Sequence, residues 1–144
     1  MPIFTGVGVA LVTLFDADLG VDVDATAALA SDLVEEGVAA VLVAGTTGEA
    51  VTLDAAERVA LITAVREVLP ADVPVIAGTG AASARQAATL TAMAGEAGAD
   101  AALVLSPPRS ADPRPYFAAV ARAAGGLPLL AYHFPEVSPP GIAM

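Results

Sequence analysis

Two stretches of this 144-residue sequence have the residue types and spacing to hold a small anion. In "AGTTGE", Gly45 and Gly48 bracket Thr46 and Thr47. Glycine tolerates tight turns and lets a ligand approach backbone N–H groups closely, and the threonines add two hydroxyls. The stretch reads either as a cradle for a carboxylate or phosphate, or as an ordinary strand-to-helix turn whose threonines satisfy local backbone groups. In "VIAGTGAAS", Gly78 and Gly80 form part of a G-x-G-x-x-G pattern, with Ser83 in the third glycine position and Asp100 about 20 residues past Gly80. A dinucleotide fold carries that pattern after its first strand. Here it follows the third apolar run, so it reads rather as a glycine-lined strand end facing a crowded site.

Other side chains are candidates for chemistry. Tyr132 ends "LLAY", where its phenol either moves protons at the mouth of a strand or packs as a core tyrosine. His133 follows directly, and neighbouring strand residues face opposite ways, so it reads as a packing or hydrogen-bonding residue. Arg109 and Arg114, in "SPPRSADPRP", either clamp an anionic substrate, reach a neighbouring subunit or stay solvated.

The elements that must position these residues show in the apolar periodicity. Runs suited to buried strands lie at 7–15, 38–44, 73–77, 101–105 and 128–132. Between them stand helix signals: Asp54 with Glu57 and Ser83 with Gln86 have capping-box spacing, and Asp112 with Pro113 looks like an N-cap and first-turn pair. Gly37, Gly98 and Gly125 stand where helices should stop. Apolar strands alternating with helices imply a parallel sheet, because parallel strands need crossover connections. Two architectures compete, an open doubly wound sheet and the start of a (β/α)₈ barrel. Both put ligand-handling residues in loops at the carboxyl ends of strands.

Composition narrows the chemistry. The net charge is −10, all six bases are arginine, and there is no lysine. Without a basic cluster, neither nucleic acid nor an anionic membrane is an expected partner. No cysteine and one histidine exclude thiolate and multi-histidine metal sites, leaving only carboxylate sites for hard cations. No apolar run reaches the roughly 18 residues of a spanning helix, and the N-terminus lacks the basic region of a signal peptide. A cytoplasmic setting is expected.

Taken in order, "VALVTLF", "GTTGEAVTLDAAE", "PVIAGTGA" and the tyrosine of "AYHFP" resemble the dihydrodipicolinate synthase/N-acetylneuraminate lyase family of pyruvate-handling class I aldolases. The resemblance implies an α/β fold, a (β/α)₈ TIM barrel, with residues 1–144 supplying about the first five βα units as the N-terminal part of one barrel domain. It also implies a homo-oligomer, tetramer or dimer, that needs no cofactor. A lysine on the sixth strand would form a Schiff base with a 2-oxo acid such as pyruvate. Thr46, Thr47 and Gly48 would hold the carboxylate, Tyr132 would relay protons with Thr46 as a second catalytic residue, and Arg109, a substrate-binding candidate, would stand where the family has a tyrosine that crosses a subunit interface. Two departures, "SPPRS" in place of a tyrosine pair and "PEVSPPG" without an arginine, point towards a lyase or aldolase acting on another 2-oxo acid adduct. With no lysine, the 144 residues alone are expected to be inactive. The rival readings are a non-catalytic carboxylate-binding α/β module and a dinucleotide-binding domain.

Overall fold

The computed structural model describes residues 2–142. Five strands, β1 (Gly8–Ala10), β2 (Ala40–Val43), β3 (Val75–Gly78), β4 (Ala101–Leu105) and β5 (Leu129–Tyr132), alternate with four helices, α1 (Val23–Glu35), α2 (Ala55–Val68), α3 (Ala84–Glu96) and α4 (Arg114–Ala123). Every strand pairing is parallel, and the spatial order β1-β2-β3-β4-β5 repeats the chain order. That order decides between the two architectures. A doubly wound sheet reverses its strand order at a switch point, whereas a barrel adds each strand on the same side of the last. The molecule is a partial (β/α) barrel.

Strand alternation separates two apolar surfaces. Val41, Val43, Val75 and Ala77 pack outward with Ala30 of α1 and Leu61, Ile62 and Val65 of α2. Ala102 and Val104 do the same with Ala87 of α3 and with Tyr116 and Val120 of α4. Residues of the opposite register, Ala40, Leu42, Ile76, Leu103 and Leu130, gather on the inner face with Ile3 and Phe4.

The helix signals hold with two adjustments. Asp54 and Glu57 form a reciprocal capping box on α2. On α3 only half of a box forms: Ser83 Oγ accepts from the Gln86 N–H, but the Gln86 side chain meets the Ser83 hydroxyl instead of its backbone. At α4 the N-cap is Pro113 rather than Asp112, whose carboxylate instead accepts from the Arg114 N–H and pairs with the Arg114 guanidinium. Gly37, Gly98 and Gly125 follow the C-caps with positive φ, as a helix stop requires.

The first apolar run is longer than its strand. Only Gly8–Ala10 pair as β1, at the sheet edge. Leu11 N–H still reaches the Leu42 carbonyl, but Leu14 N–H is taken by the Thr26 hydroxyl of α1, so the chain leaves the sheet. Among the described residues, no helix is long and apolar enough to cross a membrane.

Candidate functional site

The turn after β2 descends onto the end of β3. Ala44 and Glu49, neither of them glycine, have φ of 53° and 57°. A left-handed backbone costs a non-glycine residue about 1–2 kcal/mol, so surrounding contacts must hold this turn in place. Glu49 N–H donates to Thr46 O, and Ala50 N–H to Gly45 O. Thr13 donates its hydroxyl to Gly48 O at 2.7 Å, and a β-carbon on Gly48 would lie 2.9 Å from Leu11 O. Gly48 is therefore needed for close packing against the segment that follows β1.

Within this frame Thr46 and Thr47 are exposed, and among the described residues no hydrogen bond engages their hydroxyls or N–H groups. Their donors are free for a ligand. A cavity of about 200 Å³ at the carboxyl end of the sheet is lined by Gly45, Thr46, Gly78, Leu105, Tyr132 and Arg58, among others. Tyr132, partly buried, lies opposite Leu105 in the sheet register, and its ring packs against Phe134 with centroids 5.7 Å apart. A hydroxyl-bearing turn and a phenol thus share one small, mostly apolar space, which suits a small carboxylate with a polar group to be protonated or deprotonated.

Other sequence candidates stand elsewhere. Thr47 and Gly48 belong to the turn but do not line the cavity. Arg109 is exposed with φ of 58°, and its backbone N–H donates to Pro139 O. Its place is the junction between the loops after β4 and β5. Arg114 pairs with Asp112 on the surface, and that guanidinium holds the Asp112 carboxyl below the usual carboxylate range. His133 accepts from the Ile142 N–H at 2.9 Å, in keeping with its hydrogen-bonding reading.

The dinucleotide reading loses its geometry. Asp100 sits at the amino edge of the sheet, where its carboxylate accepts from the N–H of Val75 and pairs with Arg66. Gly78 and Gly80 are at the carboxyl edge. A β-carbon on Gly80 would come within 2.7 Å of Leu105 N, so that glycine serves strand packing. No cluster of three or more His, Cys, Asp or Glu among the described residues is arranged to hold a metal ion.

Two side chains that pattern reading passed over frame the site. Arg58 is buried under the turn and donates to the carbonyls of Leu53, Gly78 and Ala50. Burial lowers its pKa from the ordinary arginine value. Tyr116 on α4 donates to Ala81 O at 3.0 Å and accepts from Ala81 N–H at 3.1 Å, clamping the loop after β3. Burial raises its pKa. An arginine in the second turn of a capped helix was the one sequence signal for Arg58, and it reads equally well as a solvated base.

The sequence profile of the dihydrodipicolinate synthetase family matches residues 3–143. A 4-hydroxy-tetrahydrodipicolinate synthase of Synechococcus sp. strain CC9605 is 44% identical over 136 residues, 92% of this chain and 45% of the relative. Among solved structures, a dihydrodipicolinate synthase of Bacillus anthracis superposes with a TM-score of 0.90 at 35% identity, covering 97% of this chain and 49% of that one. A prophage protein of the same family from E. coli K12, solved in complex with pyruvate, gives a TM-score of 0.87 at 35% identity, covering 95% and 47%. The chain spans about half the length of the relatives it matches.

Proposed function

The chain belongs to the dihydrodipicolinate synthetase family, and from that premise we propose that it forms the 2-oxo acid-binding half of a Schiff-base lyase or aldolase that makes or breaks a carbon–carbon bond to pyruvate or a close relative. The observation that carries this reading is the shared cavity, which Thr46 and Tyr132 both line. The turn bearing Thr46 and Thr47 receives the carboxylate, and the Tyr132 phenol supplies and removes the proton at the carbonyl oxygen, which leaves as water when the imine forms. An imine withdraws electrons from the adjacent carbon, so a methyl group can lose a proton to give an enamine nucleophile without a metal. These 144 residues contain no lysine, so on this reading the imine-forming amine is a lysine of further polypeptide.

The same missing amine favours a second reading, in which the chain by itself binds a small carboxylate without turning it over. The loop "PEVSPPG", whose Val137 lines the cavity, carries no arginine and so favours an aldehyde without a second carboxylate. Homo-oligomerisation and a single barrel domain rest on family resemblance, and a cytoplasmic setting on the absence of cysteine. Titrating pyruvate into the isotope-labelled chain tests the binding reading. Saturable shifts at the Thr46, Thr47 and Gly48 amides are expected, and their absence would return the turn to a purely structural role.

A further inference from the structure

We propose that Arg58 is the positioning residue of the carboxylate cradle: its guanidinium clips the descending end of the turn to the end of β3 and so keeps Thr46 and Thr47 ready for ligand. The proposal rests on the cradle reading for its functional meaning, but its structural content stands on separate geometry.

Arg58 is 8% exposed, on the second turn of α2. Its three donor nitrogens fan out to three carbonyls: Nε to Leu53 at 3.4 Å, Nη1 to Gly78 at 2.9 Å, and Nη2 to Ala50. Leu53 and Ala50 lie on the stretch that leads from the turn into the helix, and Gly78 closes β3. One planar group thereby joins two chain segments that no strand pairing joins at this level, since the β2–β3 register ends at Val43 and Ala77. The segment it holds runs on directly from the turn with left-handed Ala44 and Glu49. Such a backbone persists only when its surroundings over-determine it.

No carboxylate pairs with this guanidinium among the described residues, which sets Arg58 apart from Arg66 and Arg114. Arg58 is also the sole charged residue among those lining the cavity that holds Thr46 and Tyr132. A buried base whose partners are all carbonyls is kept for geometry: the rigid guanidinium fork meets three diverging acceptors that a single ammonium cannot reach together.

Amide hydrogen exchange on the 144-residue chain tests this directly. In the wild type the Glu49 and Ala50 amides are protected by their bonds to Thr46 O and Gly45 O. In Arg58→Met those two amides are expected to exchange about tenfold faster or more, while Val41, Val43 and Ile76 keep their protection. Pyruvate-induced shifts at Thr46 and Thr47 should need roughly tenfold more ligand. Arg58→Lys should behave like Arg58→Met and carries the comparison if the methionine variant does not fold. Added methylguanidinium should restore protection in Arg58→Ala. Unchanged protection of Glu49 and Ala50 would overturn the proposal, as would an equal loss throughout the sheet, which would make Arg58 a general stabiliser. If wild type shows no pyruvate shifts at all, the cradle reading fails, and the exchange pattern still decides whether Arg58 braces the turn.

Discussion

The Ala44 carbonyl oxygen occupies the space that a side chain on Gly78 would need: a β-carbon built there would stand 2.1 Å from it. The end of β3 is bare so that the turn after β2 can settle on it, bringing Thr46 to the mouth of the sheet. "IAGTG" and "AGTTGE" are therefore two halves of one device, the first making room for the second.

Gly78→Ala should be among the most damaging single substitutions in the chain. The atoms it meets are backbone, so no side-chain rotation relieves the overlap, and a loss of about 1–3 kcal/mol or more is expected. Gly95→Ala is the matched control, because in α3 its new methyl would meet nothing nearer than Leu127 Cδ2 at 3.8 Å. Removing a helical glycine there should gain about 0.5–1 kcal/mol. Urea denaturation of both variants checks the pair, and equal stabilities would contradict the close approach.

Thr46→Val and Thr47→Val separate the two hydroxyls of the turn. Both side chains are exposed and unbonded among the described residues, so each variant should keep wild-type stability within about 0.5 kcal/mol. Thr46 lines the cavity and Thr47 does not. Losing a hydrogen bond to a charged group costs about 1.5–3 kcal/mol, so Thr46→Val should weaken pyruvate binding by roughly tenfold or more. Thr47→Val should weaken it less. Calorimetric or NMR titration reads both, and equal, unaltered affinities would remove the hydroxyls from the site.

Much of this arrangement was legible in the residue pattern. Five apolar runs and the punctuation between them located the strands and helices, because buried parallel strands and capped helices are specified by near-neighbour chemistry. Periodicity alone left open sheet and barrel undecided, since strand order depends on which faces meet in space and runs such as "AVLV" carry no record of their neighbours; the family resemblance pointed to the barrel. Arg58 and Tyr116 were missed for a related reason. Each bonds to backbone carbonyl or amide groups on another element, such as Gly78 and Ala81, and a backbone acceptor has no sequence signature. Asp100 has the spacing of a ribose ligand but stands at the far edge of the sheet, in line with the strand-end reading of that glycine pattern.

Tyr116 gives the fold an alkaline limit. Burial raises its phenol pKa, so the folded state binds that proton more tightly than the unfolded chain does. A raised folded value means that this contribution is complete below the ordinary phenol pKa of about 10, and is lost as pH rises from there through the folded value. Tyr116→Phe removes both bonds to Ala81 and should cost about 1–2 kcal/mol at neutral pH. Above about pH 10 the gap between wild type and variant should narrow. Denaturation midpoints at pH 7 and at alkaline pH test this, and a constant gap would mean that Tyr116 does not titrate differently in the two states.

The missing amine yields the last prediction. Borohydride traps a pyruvate imine only where a primary amine has attacked the carbonyl, and arginine cannot stand in, because its guanidinium stays protonated and is a poor nucleophile. None of the six bases in the chain is lysine. The α-amino group of Met1, the one primary amine left, lies outside the described residues. Incubation of the 144-residue chain with pyruvate and borohydride should therefore leave residues 2–142 unmodified by peptide mass mapping, and the chain should show no aldol cleavage. A longer polypeptide that continues the barrel with a lysine-bearing strand should give one adduct, on that lysine. Thr46→Val in the longer protein should slow its formation at low pyruvate more than at saturation, because the turn acts through binding. Robust aldol cleavage by the purified 144-residue chain, its mass confirmed, would refute imine chemistry as assigned and require a different carbonyl-activating group beside Tyr132.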